Sequence, residues 1–395
     1  MKRIFIVLLV TLLLVGALGV SGSAATEDVT INVYNWGQYI ADGTNGSIDV
    51  IAEFENTYPN IKVNYMTFDS NESMYTKLKT GGASFDIIIP SDYMIEKLIA
   101  EDMLEPLNFD NIPNYQYINP SFKDLSFDPS NTYSVPYTWG CVGIIYNTKH
   151  VDPADVTGWE LLWNEKYSGK ILMFDNCRDA FAIAQLELGL NVNNPTSAEL
   201  KQAADKLLEQ KPLVQSYVMD QVFQKMQRAE AWIAPYYAGD YLTMVAENPD
   251  LAFYFPSEGF NLFVDSICIP KGCRNKEAAE TFINFLISPE ISGKNLEFLG
   301  YSATADAAKE YMDPEVVNDP VAYPDESVLA KGVGFSALSA DSNQEMNRLW
   351  TDVKTSGNTA VYLIIGAVAV VLVVALIVLL NLRKRRAKAR RGKHK

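Results

Sequence analysis

From Val29 onward, short apolar strands and amphipathic helices alternate, and this limits the fold more than any other feature of the chain. The runs "VTINVY", "IDVIAEFENTYP", "IKVNYMTF", "NESMYTKLKTGG" and "FDIIIPS" read as strand, helix, strand, helix, strand. Helical connections of this length between strands predict a mostly parallel sheet flanked by helices. Ser70 or Asn71 is placed to cap the second helix, and the Gly81-Gly82 pair to end it. A second alternation starts near Trp139 with "CVGIIYN", "KILMFD", the helices "RDAFAIAQLELGL" and "AELKQAADKLLEQ", and the strand "AEAWIAPYY". "DLAFYFP", "SICIP" and the helix "KEAAETFINFLIS" complete it. Two α/β units without an internal repeat predict paired lobes with a cleft between them.

The two ends differ in kind from this body. "MKR", the apolar "IFIVLLVTLLLVGALGV" and the small residues "SGSAA" form the three-part pattern of a secretory signal peptide over residues 1–25, the alternative being an uncleaved anchor. No cysteine follows that stretch to accept a lipid. Ala360 to Leu380 is unbroken and apolar, long enough to cross a hydrocarbon core of about 30 Å. The expected span is 360–382. The tail that follows, 383–395, holds nine Lys or Arg and no acid, which places it on the cytoplasmic side. The body is then outside the cytoplasm, on a single-pass membrane protein.

Charge separates along the same lines. The whole chain has 33 basic and 48 acidic residues, a formal charge of −15. Lys2, Arg3 and the tail remove eleven basic groups, leaving 22 against 48 in the body, a formal charge of −26. Such a body disfavours nucleic acid and acidic substrates and favours cations. Four cysteines, Cys141, Cys177, Cys268 and Cys273, permit two disulfides in three pairings but are sparse for a disulfide framework. With His150 the one histidine of the body, a Cys/His zinc site or a nucleophile–histidine pair has little to draw on. No cofactor is expected.

Polar and aromatic residues recur at the predicted strand ends: Trp36, Gln38 and Tyr39; Ser91 and Tyr93; Asp175, Asn176 and Asp179; Tyr236, Tyr237 and Asp240; Phe263 and Asp265; Tyr301. Aromatic faces attract ammonium groups and carboxylates pair with them, so together these residues describe a cage for an elongated polycation. The bland readings stand beside this one: a single Tyr or Phe serves the core more often than a ligand, and Asp175 or Asn176 suits a helix cap.

The blocks "YNWGQYI", "DSNESMYTKLKTG", "FDIIIPSDYMIEKL", "YSVPYTWGCVGIIYN", "RDAFAIAQLELG", "FVDSICIP" and "NKEAAETFINFLISPEIS" resemble, in order, those of the bacterial spermidine/putrescine-binding proteins of ABC transporters. The resemblance runs from about Thr30 to about Trp350. It implies an α/β, two-lobed periplasmic-binding-protein fold of type II-like form, with lobe 1 from 26–138 and 264–309 and lobe 2 from 139–263 and 310–357. It also implies a receptor and not an enzyme, with a polyamine as ligand and an ABC permease and its ATPase as partners. Trp36 and Tyr39 become cage aromatics, Ser91 and Tyr93 line the near lobe, Asp179 meets an amine, Asp265 grips a terminal ammonium, and Tyr301 completes the wall. Tyr237 and Phe263 stand where the family usually has tryptophan. Asn176 and Gln38 stand where spermidine-type receptors carry acids, while Asp240 matches an acid of the putrescine type. Near Phe335 the family's glutamine has no counterpart. Two readings from other classes compete: an extracellular hydrolase using Asp179 and Asp265, and a sensor ectodomain, for which the 13-residue tail is short.

Overall fold

The computed structural model describes residues 28–81 and 84–356. The expected signal peptide, membrane span and basic tail lie outside them. Among the described residues no helix is long and apolar enough to cross a membrane.

The first unit forms as its periodicity dictates. β1 (Val29–Trp36) pairs in parallel with β2 (Ile61–Phe68) and with the short β3 (Ile87–Ile88). Period-two alternation sends Ile31 and Val33 of β1 into one core and Tyr34 into another. Helices α1 (Val50–Thr57), α2 (Asn71–Lys79) and α3 (Asp92–Ala100) connect and flank the strands. Ser70 caps α2 through a full capping box, and Gly81 follows the helix in the left-handed conformation.

β4 (Ser134–Asn147) is the longest strand and joins the two units. Its first half, Ser134 to Cys141, runs antiparallel to β9 (Phe260–Cys268); from Val142 it pairs with β7 (Ile233–Tyr237) and from Ile144 with β8 (Leu251–Tyr254). β5 (Ile171–Phe174) and β6 (Val214–Val218) extend the second unit, giving the order β2-β1-β3-β9-β4-β7-β5-β6. β10 (Ser302–Ala303) joins β4, and β11 (Gly332–Val333) joins β9. The expectation of a mostly parallel sheet therefore holds only within the outer parts of each unit. The centre is antiparallel because β4 leads the chain out of the first unit and β9, after the whole of the second unit, leads it back alongside in the opposite direction. The result is a two-lobed, mixed α/β architecture.

The second unit carries α4 (Cys177–Glu187), α5 (Ser197–Gln210), α6 (Gln221–Gln227) and α7 (Ala238–Glu247), while α8 (Lys276–Leu286) and α9 (Pro289–Leu299) return to the first. α10 (Ala340–Thr355) packs against α5 and α4. The cysteines are all free thiols, Cys141, Cys177 and Cys268 buried and Cys273 half-buried.

At the crossing the strands lie against large rings. A Cβ on Gly143 of β4 would stand 2.4 Å from the Phe253 ring and 2.6 Å from the Tyr254 carbonyl oxygen. Gly143→Ala is expected to destabilise the fold by about 1 to 3 kcal/mol through overpacking, measured as a lower denaturant midpoint with unchanged slope. An unchanged midpoint would mean that β8 moves aside freely.

Candidate functional site

The ends of strands from both lobes converge on one cleft. Trp36 is the last residue of β1, and Ser91 is the N-cap of α3, with Tyr93 two residues on. Asp179 lies in the first turn of α4, and Asp240 in the first turn of α7 directly after Tyr237. An acid in the first turn of a helix has the helix dipole behind it. Phe263 and Asp265 stand on β9, and Tyr301 follows Gly300, whose φ of +75° ends α9 and turns the chain.

Trp36, Tyr39, Ser91, Tyr93, Asn176, Asp179, Tyr237, Asp240, Phe263, Asp265 and Tyr301 all line this cleft. Gln38 does not. It occupies a left-handed turn with φ +50°, which sends its side chain to solvent and returns Tyr39 to the interior. Asn176 proves to be both things considered for it. Its side chain caps α4 by accepting from the N–H of Arg178 at 2.9 Å, and its Nδ2 donates to Asp179 Oδ2 at 2.8 Å.

Rings form the walls. Tyr39 meets Tyr301 edge-on at 4.9 Å, Tyr237 meets Phe263 at 5.5 Å, and Trp36 leans on Phe68 at 4.6 Å. Among them sit carboxylates with unequal partners. The Tyr39 hydroxyl donates to Asp265 Oδ2 at 2.6 Å, whereas Asp265 Oδ1 is buried with no partner. Asp179 accepts from Tyr237 at 3.0 Å and from Asn261 at 3.2 Å. Asn261 Oδ1 is also buried and unpartnered.

Burial penalises the charged form of each acid. It holds Asp179 and Asp265 up at about 6, with hydrogen bonds from Tyr237 and from Tyr39 pulling the other way. Asp240 is raised to about 8, with Tyr301 beside it as the main opposing influence.

Two further acids escaped the sequence reading. Asp69 follows β2 and Asp220 follows β6, and both line the cleft. A Cβ on Gly37 would lie 2.3 Å from Asp220 Oδ2, so the bare backbone of one lobe admits a carboxylate from the other. Desolvation and then Asp69 raise the pKa of Asp220. The signal was present for Asp69, which directly follows the recognised strand "IKVNYMTF"; β6 itself had not been recognised. Five aspartates thus face the cleft, and among the described residues lining it there is no lysine, arginine or histidine. Such a lining suits a ligand with several positive charges, N–H donors and an apolar spine.

Asp240 gives a direct test of this electrostatics. Its folded-state pKa lies above the ordinary Asp value, so its protonated form contributes stability below about pH 4 that is lost as pH rises through about 8. In the ligand-free protein, Asp240→Asn is expected to raise Tm strongly at pH 9 and to leave it nearly unchanged at about pH 3.5, with a small rise at pH 5. The same shift at all three values would show that Asp240 is not a buried charge.

Comparison with known proteins places this geometry. The profile described as "Bacterial extracellular solute-binding protein" matches residues 49–324. The spermidine/putrescine-binding periplasmic protein of Salmonella typhimurium is 33% identical over 317 residues, covering 80% of this chain and 89% of the relative. The putrescine-binding periplasmic protein SpuD of Pseudomonas aeruginosa is 30% identical over 368 residues, covering 88% and 97%. The crystal structure of the spermidine/putrescine ABC transporter substrate-binding protein PotD from Streptococcus pneumoniae superposes with a TM-score of 0.68 at 35% identity, covering 82% of this chain and 98% of that one.

Proposed function

We propose that this chain, which belongs to the family of bacterial extracellular solute-binding proteins, captures putrescine and spermidine in its interlobe cleft and delivers them to an ABC permease and its ATPase. The observation that carries the reading is Asp265, buried in an aromatic cage with one carboxylate oxygen held by Tyr39 and the other unpartnered. An ammonium group supplies the missing donor and the missing charge. The same entry explains the raised pKa values without any catalytic role, because a cation restores what burial removes. In this reading Asp179 and Asp265 are not an acid/base pair acting on a bond, and the protein is not an enzyme.

Lobe 1 is assigned to 26–138 and 264–309 and lobe 2 to 139–263 and 310–357, with the crossings inside β4 and β9. Trp36, Tyr39 and Asp265 approach the ligand from the first lobe, and Asp179, Tyr237 and Asp240 from the second. A cation held by both binds the closed arrangement better than an open one. The apolar run 360–380 tethers the receptor, the signal peptide exports it, and the basic tail remains in the cytoplasm. α10 leads into the tether from the second lobe, where Lys211 Nζ donates to the carbonyls of Val353 and Lys354 at 2.7 Å each and secures the helix end.

Five acids offer more charge than the three legible in the sequence, so the site accommodates a triamine as well as a diamine. Putrescine and spermidine are both expected to bind the full-length chain in calorimetric titrations, with affinities within about 1.4 to 2.8 kcal/mol of each other, roughly ten- to a hundredfold. Common amino acids should give no heat. Failure of both polyamines would overturn the assignment.

Asp265→Asn is expected to cost about 3 to 5 kcal/mol of polyamine binding, because it leaves an ammonium buried without its anion. Gln38→Ala, at a side chain turned to solvent, should change affinity by less than about 0.5 kcal/mol. Equal losses in the two variants would remove Asp265 from the ligand's surroundings.

A further inference from the structure

A second cavity lies behind Tyr93, which lines both it and the polyamine cleft. The first lobe contributes Glu72 and Tyr75 of α2 and Lys97 of α3; the second contributes Arg178 of α4 and Asn343 and Asn347 of α10. The lobes touch at its edge, where the N–H of Ala337 donates to Glu96 Oε2 at 2.6 Å.

Arg178 is 3% exposed, and its guanidinium lies over the Phe335 ring at 4.1 Å. Nη2 donates to Asn193 Oδ1 at 3.2 Å and to the Ser336 carbonyl at 3.4 Å, but Nε and Nη1 are buried without a partner. A guanidinium this deep is ordinarily matched by an acceptor for each N–H. The aspartate next to it, Asp179, faces the polyamine cleft and has both oxygens engaged there. Lys97 Nζ sits over the Tyr75 ring at 4.0 Å and forms no ion pair among the described residues. Glu72 is the one acid lining the cavity, and its Oε1 already accepts from the Tyr93 hydroxyl at 3.0 Å. Burial also holds the Glu72 carboxyl above its ordinary range. Of the charged side chains that line the cavity itself, two are cations and one is an acid, with Asp179, Asp92, Glu96 and Glu101 standing around its margin.

We propose that this second cavity binds a small monovalent anion, a halide or a formate-sized carboxylate, between Arg178 of one lobe and Lys97 of the other, and that the bound anion favours the closed arrangement. The anion fills the acceptor role that Nε and Nη1 lack, and the interlobe position couples it to whatever closes the lobes. Linkage makes the coupling reciprocal: the anion tightens the cleft ligand, and the cleft ligand tightens the anion.

Chloride is the probe, and the line width of its ³⁵Cl resonance over the full-length chain reads binding directly, whatever ligand the cleft takes. The wild-type chain is expected to broaden the line; Lys97→Gln and Asn343→Leu, which remove the charge and fill the space, should each reduce the excess width at least about fivefold while thermal melts stay cooperative. Displacement of the broadening by formate extends the site to carboxylates, and broadening that formate leaves in place assigns it to halides. Absence of broadening in the wild type, or equal broadening in both variants, overturns the site. The coupling rests on the polyamine reading and has its own measurement: putrescine should bind about fivefold more tightly in chloride than in a bulky sulfonate of equal ionic strength, and Lys97→Gln should abolish the difference. Tight putrescine binding that is indifferent to chloride in the wild type overturns the closing role alone.

Discussion

Negative charge buried without a protein cation is the constraint on which this molecule depends. Asp179, Asp240 and Asp265 are each more than nine-tenths buried, and no basic side chain is among the described residues that line their cleft. A buried carboxylate lacking a counter-charge is costly, so the protein lowers the cost locally. Tyr39 donates to Asp265, Tyr237 and Asn261 to Asp179, and the first turns of α4 and α7 lend their dipoles. Compensation stops short of completion at Asp265 Oδ1, and the remainder is left for a cation.

The fold makes that arrangement possible by bringing strand ends of two lobes to one place. β4 and β9 do this because each spans both units, so Phe263 and Asp265 of β9 stand at the junction, near helices of either lobe. A purely parallel sheet would have placed its loops along one edge of a single lobe. Gly37 and Asp220 show how closely the faces then approach, since a side chain at residue 37 would overlap the opposing carboxylate. Asp69 and Asp220 repel across that contact, so the approach of the lobes is itself sensitive to a positive charge between them.

What was legible in the sequence divides by physical scale. Local periodicity identified β1, β2, α1, α2, α4 and α8, because strand and helix repeats are written within a few consecutive residues. The antiparallel centre was not legible, since the alternation marks only "CVGIIYN" of β4, and the partners taken by its two halves reveal one strand from Ser134 to Asn147. The rule that polar and aromatic residues at strand ends meet ligands placed twelve of its fourteen candidates on the cleft, leaving out Gln38 and the exposed Asp175. It failed for Gln38 because a single positive φ decides which way that side chain turns, and it missed Asp220 because β6 begins directly after a helix and has little alternation of its own. Asn176 illustrates a limit of another kind: helix cap and cleft residue were weighed as rivals, yet one amide does both by accepting through its oxygen and donating through its nitrogen.

Charge acts at two ranges here, and they have different consequences. The body's formal charge of −26 creates a field that draws cations of every kind, but at physiological salt it is screened beyond about 8 Å and distinguishes little among them. Discrimination is left to the cleft, where buried carboxylate oxygens and ring faces hold fixed positions. Arg178 sharpens this division. Its side chain lies on the far side of Tyr93, so its positive charge remains outside the cation cleft while its backbone places Asp179 within it. Adjacent residues at one helix start thereby face different cavities, and side chains of both lobes line each of them.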